Sequence, residues 1–372
     1  MSAIYLHIPF CKRLCGYCDF FKSVKLNQLD ATLDAMECEI VEQRSFLSDH
    51  KINTIYFGGG TPSLLTAVQV ERLLKVISEN YDLSSLSEVT LEANPDDLTL
   101  QYLEALHRVG VNRLSIGVQS FDDDELRFMN RRHTSAQAID VVRMAQSVGF
   151  NNITIDLIFG VEGFGVEVLK RSIDVALSLN VQHISAYHLT LEAGTPFARR
   201  VAKGELHAVA EEQSEEEYRI IEEVLTSANF DHYEVSNYAR EGFRSQHNSS
   251  YWRGVEYLGI GAGAHSFNGQ ERRFAISYIE SYLEGGVGRY EVERLSEVDR
   301  YNEFVMTSLR CREGLELLRM QHEFGAKLFA HFELESQKWL LDGDLVLRDG
   351  WVFIPTARFL MSDAIIGSLF YV

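Results

Sequence analysis

The chain has 372 residues, of which 46% are hydrophobic, and it carries a formal net charge of −19 at pH 7. The length and hydrophobic content exclude a disordered chain and predict one large folded domain with a smaller second one. The negative charge argues against a nucleic-acid partner, because phosphates are repelled and the densest basic cluster is only Arg131 to His133. We find no apolar run long enough to span a bilayer and no secretory signal, so no transmembrane segment is predicted.

Short β-rich runs alternate with segments of helical periodicity through the first half of the chain. Six strands are predicted, over Ala3 to Ile8, Thr54 to Phe57, Glu88 to Glu92, Arg113 to Val118, Asn152 to Ile158 and Gln182 to Leu189. Repeated βα units imply a parallel sheet with right-handed crossovers. Unusual polar residues follow the carboxyl end of every successive strand, which favours a partial (β/α)6 barrel of the TIM type over an open doubly wound sheet.

The composition changes after Thr195. An acidic helix is predicted at 211–227, and a glycine-rich stretch follows through Gly263. A small α+β unit is predicted to begin near residue 295, with helices at 297–309 and 316–324 and a hairpin at 344–354. We therefore predict three parts: a partial barrel over residues 1–240, a connecting segment over 241–294 and a small C-terminal domain over 295–372.

Three of the five cysteines follow the first predicted strand within eight positions: Cys11, Cys15 and Cys18. Such crowding is typical of a metal site in a reducing compartment, which favours the cytoplasm. The spacing C-x3-C-x2-C can supply thiolates to three irons of a [4Fe-4S] cluster and leave the fourth iron open. S-adenosylmethionine (SAM) is the best-known ligand for such an iron. A zinc site with His7 as the fourth ligand is the alternative. The remaining thiols, Cys38 and Cys311, are predicted to be inert core residues.

Other candidate ligand-binding residues lie after later strands. The glycines of Gly58 to Pro62 could bring backbone amides close to a polar ligand, although the run also suits an ordinary β-to-α turn. Glu92 and Asp156 could bind ribose hydroxyls or an ammonium group, or simply cap the next helix. Arg131 could bind a carboxylate, although a lone arginine is usually a surface group.

A second unusual stretch, His247 to Ser266, combines a histidine, aromatic residues and four glycines. His247 offers an imidazole that can bind heme iron, and Tyr251 and Trp252 could cover a porphyrin face. The ordinary alternative is that His247 is a hydrogen-bonded packing residue.

Together these motifs resemble the radical SAM proteins of the HemN/HemW group. The matching segments are Tyr5 to Cys18, Gly58 to Pro62, Glu92 to Pro95, Ile116 to Phe121, Asn130 to Arg131 and Ile155 to Gly160. They extend from residue 5 to about 197, and the C-terminal unit also fits the group. The loop at 160–165 departs from the family pattern, because it lacks the usual proline and Gln-Thr pair, so its geometry is not transferable.

The resemblance implies that Cys11, Cys15 and Cys18 hold a [4Fe-4S] cluster. It also implies a SAM site formed by Tyr5, Tyr17, Gly59, Gly60, Thr61, Glu92, Gln119, Arg131 and Asp156. In such proteins an electron from the cluster cleaves SAM to methionine and a 5'-deoxyadenosyl radical.

Within the group, the chain is more similar to the HemW heme chaperones than to the oxygen-independent coproporphyrinogen III oxidases. The oxidases carry a fourth cysteine where this chain has Phe20, they have an N-terminal extension, and they lack the His-Asn-x2-Tyr-Trp element of residues 247–252. The resemblance therefore implies heme as a ligand, with His247 as its iron ligand. It also implies transfer of heme to acceptor hemoproteins such as those of the respiratory chain. The oxidase remains the alternative function, and a homodimer and peripheral membrane contact stay open.

Overall fold

The computed structural model describes residues 2–284 and 290–372. Its centre is a row of six parallel strands in sequence order, each hydrogen-bonded to the next. They are β1 (Ser2–Ile8), β2 (Ile52–Gly59), β3 (Glu88–Ala93), β4 (Arg113–Gln119), β5 (Ile153–Phe159) and β6 (His183–His188). All six predicted strands are present, with ends within two residues of the predicted ones. The predicted α/β class with a partial (β/α)6 barrel is confirmed.

The crossover segments between these strands are helical. They contain α1 (Leu29–Glu42), α2 (Ala67–Asn80), α3 (Leu100–Arg108), α4 (Asp123–Phe128), α5 (Ser135–Val148) and α6 (Val166–Ser178). Local sequence fixes where several of them begin, since Thr66 and Thr134 form capping boxes at the starts of α2 and α5. In α1, Met36 and Ile40 are buried, whereas Cys38 is exposed. The prediction of Cys38 as a core thiol is therefore wrong, because residue 38 faces about 200° away from residues two positions before and after it.

The concave side of the sheet is polar, unlike its outer side. Outward-facing Ile4, Leu6 and Ile8 of β1 are at most 1% exposed and belong to the hydrophobic core. Inside, Arg113 is 1% exposed, donates to Oγ1 of Thr154 at 2.5 Å and lies 3.9 Å from the Glu88 carboxylate. Strand alternation thus places polar side chains on the face that leads to the carboxyl ends.

Further strands extend the sheet at both sides. Beside β6 lie the antiparallel strands β7 (Asp231–Glu234) and β8 (Asn237–Ala239). Beside β1 lies the parallel strand β9 (Tyr257–Ile260), followed by β10 (His265–Phe267), β11 (Glu271–Ala275) and β12 (Tyr290–Arg294). The helices of this region are α7 (Pro196–Ala202), α8 (Glu211–Ser227), α9 (Gln246–Trp252) and α10 (Ile279–Glu284). The predicted connecting segment 241–294 therefore contributes four strands to the main sheet, and the three-part division stays a prediction.

The C-terminal unit contains helices and a small three-stranded sheet. Its elements are α11 (Glu297–Leu309), β13 (Leu315–Glu316), α12 (Leu317–Asp342), β14 (Val346–Arg348), β15 (Trp351–Phe353) and α13 (Ser362–Ser368). The hairpin prediction is confirmed, with the left-handed residues Asp349 and Gly350 between β14 and β15. The helix predicted over 316–324 ends there, because Gly325 has a non-helical φ of 69° that breaks α12 at a kink, and a second helical stretch follows it to Asp342. Within the described ranges, none of the helices is long and apolar enough to cross a membrane.

Candidate functional site

A cavity of about 710 Å³ opens at the carboxyl ends of the parallel strands. It is lined by eleven of the residues named for the cluster and SAM: Cys11, Cys15, Tyr17, Cys18, Gly59, Gly60, Thr61, Glu92, Gln119, Arg131 and Asp156. Tyr5, His247, Tyr251 and Trp252 are absent from this lining. The predicted SAM residues, apart from Tyr5, are therefore brought together around one space, whereas the predicted heme residues lie elsewhere.

The cysteine loop follows β1 and is held by backbone hydrogen bonds. The Cys11 amide donates to the Ser23 carbonyl at 2.9 Å, which closes the loop at its base. The Gly16 amide donates to the Met129 carbonyl at 3.2 Å, and Nδ2 of Asn130 donates to the Leu14 carbonyl at 2.7 Å. The loop thus reaches across the sheet to the segment after β4, and its position is set by contacts far apart in sequence.

Two of the three sulfur atoms accept hydrogen bonds from cavity residues. Oγ1 of Thr61 donates to Sγ of Cys11 at 3.3 Å, and Nη1 of Arg131 donates to Sγ of Cys15 at 3.3 Å. Such donors stabilise thiolates and tune bound clusters. Within residues 2–284 and 290–372, no three His, Cys, Asp or Glu side chains are gathered closely enough to hold a single ion. Soft sulfur donors around an open cavity fit a cluster that is larger than one ion.

His7, the fourth ligand in the zinc alternative, has both ring nitrogens in hydrogen bonds. Nδ1 of His7 lies 3.1 Å from the Tyr5 hydroxyl, and its Nε2 lies 3.2 Å from the Phe21 carbonyl. Burial lowers the pKa of His7 to about 4, so the imidazole is neutral at physiological pH. His7 therefore acts as a hydrogen-bonded packing residue beneath the cysteine loop.

The glycine run after β2 lies directly against the backbone that leads into the cysteine loop. A Cβ atom on Gly60 would lie 2.8 Å from the Phe10 carbonyl oxygen and 2.9 Å from the Phe10 nitrogen. Gly59 has a φ of 111°, and its amide donates to Oε2 of Glu92 at 3.1 Å. The run is thus required for the close approach of β2 to the cysteine loop.

Two carboxyl groups of the cavity are kept partly protonated by their surroundings. Burial raises the pKa of Glu92 to about 7, although the hydrogen bond from the Tyr56 hydroxyl at 2.8 Å opposes this. Burial raises the pKa of Asp156 to about 6, opposed mainly by its hydrogen bond with Ser185. Buried carboxyl groups with raised pKa values are suited to receiving a cationic or hydroxyl-bearing ligand.

The raised pKa of Glu92 predicts a pH-dependent stability. Folded Glu92 holds its proton up to about pH 7, against 4.5 in the unfolded chain, so this group favours folding at low pH and loses that contribution as the pH rises to 7. In the unliganded protein, Glu92→Gln is therefore expected to raise the free energy of unfolding more at pH 8 than at pH 5, by about 2 kcal/mol. Urea unfolding at both pH values measures this difference. An equal effect of the substitution at both would contradict it, and exposed Glu79→Gln is the control.

Arg131 is largely enclosed instead of lying on the surface. Its Nη2 donates to Oδ1 of Asn94 at 2.6 Å and to the Gly117 carbonyl at 2.5 Å. Its Nε atom is buried and has no hydrogen-bond partner among the described residues. A fixed guanidinium with one unused donor at a cavity wall fits a ligand carboxylate. Nearby Gln119 has a φ of 70°, a strained backbone conformation at the end of β4.

The predicted heme ligand His247 packs between α9 and β2, outside the lining of the cavity. His247 is fully buried, its Nδ1 lies 2.8 Å from Oγ1 of Thr54, and its Nε2 lies 2.8 Å from the Tyr251 hydroxyl. Its ring stacks on Tyr56 with centroids 4.9 Å apart. Burial lowers the pKa of His247 to about 3. Both ring nitrogens are therefore engaged, and iron binding by His247 requires one of these contacts to open.

The cavity residues that the sequence analysis missed include Tyr187, Tyr218, Arg310 and Phe359. Tyr187 follows Ser185 at the spacing of inward-facing residues in β6, a signal that was available in the sequence. The other three come from α8 and the C-terminal unit, which closes over the barrel. The hydroxyl of Tyr218 donates to the Thr356 carbonyl at 2.7 Å, joining the two parts.

Comparisons with known proteins agree with this architecture. A family model described as the radical SAM superfamily matches residues 5–176, and one described as the HemN C-terminal domain matches residues 295–358. A heme chaperone HemW from Lactococcus lactis is 38% identical over 346 residues, covering 91% of this chain and 90% of that protein. A heme chaperone HemW from Bacillus subtilis is 36% identical over 334 residues, covering 88% of each.

One solved structure resembles this chain along nearly its whole length. The radical SAM enzyme coproporphyrinogen III oxidase (HemN) from Escherichia coli superposes with a TM-score of 0.84, covering 99% of this chain and 89% of that one. The two sequences are 24% identical. This likeness establishes the shared fold and says nothing further about the reaction.

Proposed function

The chain belongs to the radical SAM superfamily, in the family of the HemW heme chaperones, and from this premise we propose that it binds heme and transfers it to acceptor hemoproteins in the cytoplasm. The observation that carries the proposal is the relationship to two HemW proteins at 36 to 38% identity over about nine-tenths of the chain. The acceptors we have in view are hemoproteins of the respiratory chain.

The proposal includes a [4Fe-4S] cluster on Cys11, Cys15 and Cys18, with SAM beside it. When bound, a cluster with one open iron supplies an electron to SAM. The protein's own part is to position and enclose the ligand. Arg131 offers a carboxylate partner, Glu92 and Asp156 offer carboxyl groups to an ammonium or hydroxyl group, and the glycine run admits the ligand close to the backbone.

Coproporphyrinogen III oxidase is the alternative function, and we propose that this chain lacks that activity. Phe20 stands where the resemblance to the oxidases would require a further cysteine, and its side chain is 66% exposed beside the cluster loop. An apolar ring at this position offers no ligand to iron or sulfur. Sustained conversion of coproporphyrinogen III to protoporphyrinogen IX by the reconstituted protein would overturn this part of the proposal.

His247 stays our proposed heme-iron ligand, on the condition that one of its ring nitrogens gives up its hydrogen bond. Neutral imidazole is the form that binds iron, and burial already keeps His247 neutral. However, the Tyr251 hydroxyl occupies the Nε2 position at 2.8 Å. We infer that heme binding displaces this hydroxyl, which requires the Tyr251 side chain to rotate away from His247, since both residues belong to α9.

Heme titration of three proteins tests this proposal. Wild type is expected to give a saturable change in the Soret band, and His247→Ala to weaken binding by roughly tenfold or more, because the axial ligand is lost. Tyr251→Phe is expected to tighten binding, because it removes the group that competes for Nε2. A saturable gain of affinity is opposite in sign to the loss that a core cavity causes, so this variant controls for the cavity that His247→Ala creates in the core.

Two results would count against the proposal. If wild type gives no saturable Soret change, heme carriage itself fails. If wild type binds heme and His247→Ala binds it equally well, the carrier role stands and the assignment of His247 as ligand fails.

A further inference from the structure

The far end of the cavity carries an arginine that the proposed function does not yet use. Arg310 follows the last turn of α11, and its carbonyl accepts a hydrogen bond from the Val235 amide at 3.1 Å. This contact fixes the backbone of the C-terminal unit against the edge of the barrel. Both Val235 and Arg310 line the cavity. The guanidinium is thus held at the junction between the two parts of the protein.

The hydrogen bonding of Arg310 is incomplete. Its Nη2 donates to Oδ1 of Asp363 at 2.5 Å, but the Asp363 side chain is 80% exposed. An ion pair with so exposed a partner contributes little and is easily exchanged. The Nε atom of Arg310 is buried and has no partner among the described residues. Buried donors without partners are rare in folded proteins, so this one requires an explanation.

A second unused donor lies nearby. Nε1 of Trp252 is also buried and unpartnered within the described part of the chain, and the Arg310 guanidinium carbon lies 6.0 Å from the centre of the Trp252 ring. Asp363 and the buried Glu234 are anionic groups near Arg310, and the Glu234 carboxylate is already bound by the Asn237 side chain. The Arg310 guanidinium therefore retains a spare donor for one more anionic acceptor.

Aromatic and apolar side chains line the same cavity as Arg310. They include Tyr187, Leu189, Tyr218, Phe359 and Leu360. Pockets of this size and composition bind mainly apolar ligands and orient them by a few polar groups. A flat apolar ring system that bears carboxylates matches an apolar wall ending in a guanidinium.

We propose that Arg310 is a carboxylate-binding residue that holds a propionate group of a tetrapyrrole bound between this side of the cavity and the element at 247–252, whose Trp252 ring lies 6.0 Å from the guanidinium carbon, with Asp363 pairing with the guanidinium in the unliganded protein. This inference rests on the proposed function, since it names how the same ligand is recognised. It assigns a binding residue outside the cysteine loop, the SAM site and the element at 247–252.

The test compares hemin with its dimethyl ester, in which both propionates are neutral. Wild type is expected to bind hemin more tightly than the diester. Arg310→Gln is expected to weaken hemin binding by roughly tenfold or more and to leave diester binding nearly unchanged, because only the charge-assisted hydrogen bond is lost. Asp363→Asn is expected to tighten hemin binding, because it removes the competing carboxylate. Arg312→Gln is the matched control, since Arg312 pairs with Asp231 and does not line this cavity.

The outcomes separate this inference from the proposed function. If wild type binds neither compound, heme carriage fails and the inference fails with it. If wild type binds hemin, but Arg310→Gln weakens hemin and the diester equally or changes neither, only the role of Arg310 is overturned. A gain for Asp363→Asn supports the inference independently of any folding defect in Arg310→Gln.

Discussion

Anaerobic reconstitution of a Cys15→Ser variant is expected to give a protein nearly free of iron and sulfide. A serine hydroxyl is a hard donor and a poor replacement for a thiolate on a cluster iron. The three cysteines supply all the protein ligands that the sequence offers in this loop, so the loss of one leaves two irons without a protein ligand. Metal analysis and the visible absorption of the reconstituted protein measure this effect, which we expect to be the largest of any single substitution.

The chain offers two matched controls for this experiment. Cys38 is exposed on α1, and Cys311 is half-buried, with its thiol pKa raised to about 12 by burial. Serine at either position is expected to leave the iron and sulfide content at the wild-type level. Wild-type iron in Cys15→Ser, or an equal loss in Cys38→Ser, would show that the cluster is not held as proposed.

Replacement of Gly60 by alanine is expected to disturb the site nearly as much as Cys15→Ser does, although it removes no cluster ligand. The added methyl group meets backbone atoms of Phe10 and Ile8 at 2.8 to 3.0 Å, and backbone cannot rotate away as a side chain can. The cysteine loop must therefore shift from β2, at a cost of about 1–3 kcal/mol in stability. We expect weaker SAM binding, measured by calorimetry, together with a lower unfolding temperature.

Gly165→Ala is the control for Gly60→Ala. Gly165 also follows a parallel strand and precedes a helix, but a Cβ atom there meets nothing within 4 Å and its φ is −106°. This variant is expected to bind SAM as wild type does. If Gly60→Ala retains wild-type SAM affinity and stability, the close packing of the glycine run against the cysteine loop is not required for SAM binding.

The sequence was sufficient for the barrel and for most of its site. Strand alternation and βα periodicity place Glu92, Gln119 and Asp156 at the carboxyl ends of parallel strands, and parallel strands bring those ends to one edge. These residues can be predicted to lie together without knowing how distant segments of the chain pack. The same alternation also places Tyr187, two residues after Ser185, on the inward face of β6.

The parts of the fold and of the site that the sequence did not predict depend on contacts between distant segments. Strands β9 to β12 are short, and neither the pairing of β9 with β1 nor the pairing of the four strands with one another is visible in local periodicity. Arg310 and Phe359 reach the cavity only because the C-terminal unit docks on the barrel. Tyr5 matches the family motif, yet it packs beside Tyr56 behind the glycine run instead of lining the cavity. The burial of His247 likewise follows from the docking of α9 against β2.

Transfer of heme to an acceptor is the most direct measurement of the central claim. The protein is loaded with heme, freed of excess ligand and mixed with an apo-form of a respiratory b-type cytochrome, while the acceptor's absorption bands are followed. We predict that the acceptor becomes loaded faster than heme is lost to an inert scavenger such as albumin, because transfer proceeds within a complex. Release at one rate, whatever the acceptor and its concentration, would contradict the role of a heme chaperone.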